Sequence, residues 1–119
     1  MPTVLPAPDE FWTAERCFIT ELHNAPQSPE ASLARARVEP GVTTQLHSLT
    51  GVTEVYIVQQ GSGLLEIAGA RLRLHTGDRA IIPPGTPQRI HNDGAEELVF
   101  LCLCTPRFVP AAYVDLESS

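Results

Sequence analysis

Most of the chemistry available to this 119-residue chain rests on a histidine, a glutamate and a glutamine set among short apolar segments. His47 and Glu54 flank Thr50-Gly51, a dipeptide with the composition of a two-residue hairpin loop. If Leu49 and Val52 close that loop, His47 falls directly opposite Glu54, and Gln45 opposite Tyr56, with cross-strand Cβ atoms about 4.5–5.5 Å apart. An imidazole and a carboxylate at that separation either converge on one cation or hydrogen-bond each other. His47 is therefore a candidate base and Glu54 the group that orients it. Leu49 shares the face of His47 and dries that side of a pocket, while Tyr56 shares the face of Glu54. Gln88 arrives from a distant segment through Pro83-Pro84-Gly85-Thr86-Pro87, a loop stiff enough to set where its side chain emerges.

Other reactive residues read as structural. Strand alternation puts His91 and Arg89 on the face opposite Gln88 and Asn92, so both are expected outside. His75 precedes the Thr76-Gly77-Asp78 turn and His23 lies in a polar stretch, which makes both surface residues. Arg35 and Arg37 share one strand face. Inward, the pair would recognise a carboxylate or phosphate; the favoured reading has Ala34, Ala36 and Val38 packing inward and both arginines solvated. Cys102 and Cys104 share a face of an apolar strand and read as buried, inert thiols.

The elements that must position these groups are short. Turn signals such as Pro40-Gly41, Gly61-Ser62-Gly63, Ala68-Gly69 and Asn92-Asp93-Gly94 separate segments rich in Val, Ile, Leu and aromatic residues. Strands are expected over Cys17–Glu21, Ser32–Val38, Thr43–Leu49, Glu54–Gln60, Gly63–Ile67, Ala70–Leu74, Arg79–Ile82, Gln88–Asn92 and Leu98–Cys104. Many short strands punctuated by Gly and Pro imply an all-β sandwich or barrel. Phe11 and Trp12 are expected in a short turn capped by Asp9, and Phe108 and Tyr113 to anchor a C-terminal segment folded over the sheet. In Glu54–Gln60, Glu54, Tyr56 and Val58 share one face and Val55 and Ile57 the other. If the first face lines the barrel, the second needs a cover. A sheet-to-sheet homodimer is preferred over an N-terminal strand of the same chain.

Composition narrows the function classes. The length suits one domain, 1–119, with a core of about 17–105 and an arm at each end. A formal net charge of −6 argues against nucleic acid and against anionic lipid surfaces as partners. No basic region followed by an apolar core opens the chain, and no apolar run approaches a membrane span. With three cysteines and no disulfide framework, the expected location is the cytoplasm.

Gly41, five residues, His47, one residue, Leu49, four residues, Glu54, six residues and Gly61 form one spaced motif. Gly77, five residues, Pro83, one residue, Gly85, two residues, Gln88, three residues and Asn92 form a second. Together they resemble the two motifs of the cupin superfamily, and the segment after the last strand, Cys104-Thr105-Pro106-Arg107-Phe108, looks like that of small stand-alone bacterial cupins. The resemblance implies a double-stranded β-helix, or jelly-roll barrel, with ligands for a metal pointing inward. In that family three histidines and a glutamate usually hold the metal; here Leu49 and Gln88 stand at two of those positions. The implied metal set is His47, Glu54 and Gln88, with water or substrate completing the shell of a divalent transition ion such as Zn, Fe, Ni or Mn. Three functions follow for a small organic molecule in the barrel: metal-assisted isomerisation, cyclisation or oxygenation; metal-free binding or sensing; and metal-free proton transfer with His47 as base.

Overall fold

The computed structural model describes residues 2–117, which form two antiparallel β-sheets packed face to face. The strands are β1 (Phe11–Trp12), β2 (Phe18–His23), β3 (Ser32–Val38), β4 (His47–Leu49), β5 (Thr53–Gln60), β6 (Gly63–Ile67), β7 (Ala70–Leu74), β8 (Arg79–Ile82), β9 (Gln88–His91), β10 (Leu98–Thr105) and β11 (Tyr113–Asp115). One sheet runs β1-β2-β3-β10-β5-β8 and the other β11-β4-β9-β6-β7. Among the described residues no helix is long and apolar enough to cross a membrane.

Period-two alternation decides which side chains meet between the sheets. In β10, Leu98, Phe100, Cys102 and Cys104 are buried while Val99, Leu101 and Leu103 are only half-buried. Its neighbour β5 buries Glu54, Tyr56 and Val58, in register with Cys104, Cys102 and Phe100. Val38, Leu65, Ile82 and Ile90 complete the contact from both sheets. A Cβ at Gly63 would lie 2.7 Å from Leu98 Cδ2, so any larger residue in β6 would have to push the buried Leu98 and Ile90 side chains aside.

Three local expectations are corrected. Phe11 and Trp12 form strand β1, not a capped turn. Trp12 meets Phe18 edge to face at 4.9 Å, and Thr13 bonds Cys17 O through both its backbone N–H and its hydroxyl, each at 3.0 Å. The C-terminal segment does not fold over a sheet but joins one, β11 pairing with β4 along its edge. The hairpin through Thr50-Gly51 does not exist: β4 and β5 belong to opposite sheets. The backbone groups that would start such a ladder are taken, since Leu49 O accepts from Gly85 N and Thr50 N donates to Ala112 O, both at 2.8 Å. Leu49 and Val52, the expected closing pair, pack instead with Cys104 and Ala112. Glu54 thus faces His47 across the barrel interior, not along one sheet.

Candidate functional site

The bond from Gly85 to Leu49 docks the proline-rich loop on the end of β4, and Gly85 supplies it with a φ of +74°. Gln88 follows and pairs with His47 across the β4–β9 ladder. From the other sheet, Gln88 Nε2 donates to Glu54 Oε1 at 2.9 Å, and Tyr56 Oη donates to Gln88 Oε1 at 2.6 Å. The two sheets are therefore stitched by a buried Tyr56–Gln88–Glu54 relay. Gln88 is 1% exposed and does not line the cavity; it sits behind the wall that Glu54 and Tyr56 form.

His47 is held on two sides. Its Nδ1 lies 2.8 Å from the backbone carbonyl of Gln45, and its ring stacks on Tyr113 with centroids 4.8 Å apart and planes 13° from parallel. A carbonyl oxygen only accepts, so Nδ1 carries a proton, and in the neutral ring Nε2 carries the lone pair. Nε2 has no hydrogen-bond partner among the described residues, and His47 lines the cavity. Gln45 supports the arrangement from outside the cavity, its side-chain oxygen accepting from the Tyr113 hydroxyl.

The cavity measures about 170 Å³. Ile19, Ala34, Ala36, Leu49, Phe100 and Phe108 give it an apolar body, and the thiols of Cys17, Cys102 and Cys104 add to the wall. Burial pushes Cys17 and Cys104 up to about 12 and Cys102 well above the ordinary thiol range, so all three are neutral. Burial likewise raises the Glu54 carboxyl above 4.5, opposed by His47 and the bond from Gln88.

A second carboxylate, Glu15, lines the same cavity. The β1–β2 loop places it there: Thr13 closes the turn, and Arg16, at a φ of +69°, swings outward to Glu117 and Thr43 O. Burial raises Glu15 too, again opposed by His47. Nothing in the polar run Thr13-Ala14-Glu15-Arg16 marks this residue in the sequence. The remaining candidates lie outside the cavity. His91 bonds Thr43 Oγ1 at 2.7 Å, Arg37 pairs with Glu10 and Glu97, Arg35 reaches Glu10 at 3.9 Å, and Asn92 donates to Val38 O and Glu96 O at 2.9 Å each.

As a metal centre the donors do not fit. Leu49 supplies none, and Gln88 turns its amide oxygen to Tyr56 and its NH₂ to Glu54. Among the described residues no three His, Cys, Asp or Glu side chains are grouped to hold an ion. Of the expected set one imidazole nitrogen and one carboxylate remain, and Glu15, the cavity's second carboxylate, is not grouped with them, so the donors fall short of the four ligands a first-row ion takes in a closed protein site.

A family model described as "Cupin domain" matches residues 34–104. This chain is a cupin. Its relatives include the uncharacterized protein MJ1618 of Methanocaldococcus jannaschii, 34% identical over 109 residues, covering 90% of this chain and 85% of that protein. Among solved structures, Streptomyces Pac13, described as a unique nucleoside dehydratase, superposes with a TM-score of 0.81 at 17% identity, over 97% of this cupin and 92% of its own chain. KdgF from Halomonas sp. gives a TM-score of 0.74 at 18% identity, over 84% and 87%. At these identities the structures establish the double-stranded β-helix fold alone.

Proposed function

We propose that this cupin encloses a small organic molecule and acts on it, where it acts, by metal-independent proton transfer at His47. The observation that carries this reading is the unpartnered Nε2 of a histidine only 3% exposed, fixed in one tautomer by Gln45 O and opening on the cavity. An acidic C–H or O–H of the ligand set against Nε2 would pass its proton there. Glu54 and Glu15 line the cavity with His47 and would face the transferred proton. Tyr113, stacked on the ring, holds its angle. Metal-assisted chemistry has less support because the relay engages both ends of the Gln88 amide. Streptomyces PAC13 with uridine bound supports the idea that a barrel of this shape takes an organic ring.

The test is metal content on tag-free protein purified without chelators, together with the ring ¹⁵N shifts of His47. Absent metal and an Nδ1–H tautomer are expected. Near-stoichiometric metal that disappears in Glu54→Ala, or an Nε2–H tautomer, would overturn the reading.

The same proposal takes the protein as a homodimer. Outside the six-stranded sheet, Leu33, Leu103, Val55 and Ile81 form one apolar row, and Leu101 and Ile57 lie in the next between Arg35 and Arg79. Strand β1 pairs at the edge of that sheet and does not cover these rows. A second copy laid on them would bury Ile81, now 64% exposed. Sedimentation velocity at micromolar concentration should give a dimer; a monomer throughout would remove this part.

A further inference from the structure

The charge of the cavity wall narrows what can occupy it. All eight Lys and Arg positions of the chain are arginines and none lines the cavity, which leaves His47 as the basic side chain on its wall. The arginines nearest the β1–β2 loop and β3 are drawn outward, Arg16 to Glu117 and Arg37 to Glu10 and Glu97. Facing the cavity are Glu15 and Glu54, with Glu21 on an exposed stretch at its edge. The Glu15 carboxylate has no hydrogen-bond partner among the described residues, although its neighbours take both its backbone groups: Glu15 N donates to Thr13 Oγ1 at 3.2 Å and Glu15 O accepts from Gln45 N at 3.0 Å. Its backbone is thus pinned while its carboxyl is left without a hydrogen-bond donor. An unpartnered carboxylate in a half-buried place is costly unless a donor answers it.

We infer that the cavity selects a ligand with a compact apolar body and a protonated amine, the ammonium bonding Glu15 while the body packs against Leu49, Phe100 and Phe108. This rests on the small-molecule reading above and narrows it. The volume suits such a body, since an apolar cavity of about 150 Å³ is enough for benzene. An anionic ligand would meet two carboxylates and no arginine, so carboxylic acids and phosphate esters are disfavoured. A charged amine against a carboxylate is a charge-assisted hydrogen bond, stronger than one to a neutral hydroxyl.

Three probes with one skeleton separate charge from shape: benzylamine, benzyl alcohol and benzoate, titrated into ¹⁵N-labelled protein at pH 8 and followed by backbone amide shifts. The amine should bind about tenfold more tightly than the alcohol, the scale of one charge-assisted hydrogen bond, with benzoate weakest. Glu15→Gln should erase the amine's advantage over the alcohol. Benzoate binding best, or an amine advantage that survives Glu15→Gln, would overturn the inference while leaving the pocket intact. If none of the three shifts residues around the cavity, the small-molecule reading falls with it. The wild-type series decides the charge preference by itself, so a variant that failed to fold would not leave the matter open.

Discussion

Replacing Tyr56 by Phe tests the relay that sets the two sheets against each other. The phenol donates to Gln88 Oε1 at 2.6 Å, the one donor this oxygen has among the described residues, and Gln88 is 1% exposed. The ring itself stays, keeping its 4.5 Å contact with Phe100, so no cavity opens. What remains is a buried amide oxygen without a donor, which costs about 1–3 kcal/mol. For a chain of this size that is a fall in Tm of roughly 4–12 °C. Urea unfolding monitored by the fluorescence of Trp12 gives the free energy, and calorimetry gives Tm. In a Gln88→Leu background the acceptor is gone, so the same substitution should cost under about 0.5 kcal/mol. A Tyr56→Phe protein as stable as wild type would mean that phenol and amide do not bond. Gln88 would then be free to turn its oxygen toward the cavity, and the argument against a metal centre would lose its main support.

Two further outcomes follow from the same geometry. Burial raises the folded Glu54 carboxyl above its ordinary 4.5, so the folded state holds that proton more tightly than the unfolded chain. This group's contribution therefore falls as pH climbs from about 4.5 through the folded value. Glu54→Gln should raise Tm at pH 7.5 relative to wild type, with the gap closing toward pH 4; a constant gap across a thermal-shift series would contradict the sign. Restoring imidazoles with Leu49→His and Gln88→His together should confer near-stoichiometric uptake of Zn²⁺ or Ni²⁺ where wild type shows none, measured by metal analysis after dialysis. A folded double variant that takes up no metal would show that the β4 and β9 positions do not converge with Glu54.

Much of the barrel could be read from period-two alternation and turn residues. Ser32–Val38, Gly63–Ile67, Ala70–Leu74 and Arg79–Ile82 end where they were expected to end, three of them beside a glycine or proline turn. The grouping of Glu54, Tyr56 and Val58 on one face of β5 followed from alternation, and that face is the buried one. The step between β4 and β5 did not, because Thr50-Gly51 suits a hairpin and a sheet-to-sheet crossover equally well. Only tertiary partners, Gly85 and Ala112, choose between them. The family resemblance set Gln88 with His47 and Glu54, and Gln88 pairs with the first and bonds the second, yet its role as a strut depends on Tyr56 Oη, which spacing cannot reveal. Glu15 was invisible because its inward turn depends on a left-handed Arg16, a conformation that local composition did not announce.

The clasp between Arg16 and Glu117, together with Tyr113 on His47, has an evolutionary consequence. Glu15 and Tyr113 both fall outside residues 34–104, the part that matches the family. Residues 34–104 contribute a histidine and a carboxylate, while the segments flanking them, latched by Arg16 and Glu117, contribute the second carboxylate and the aromatic plate. Lineages that trade these segments could inherit the barrel unchanged and still diverge in what they bind.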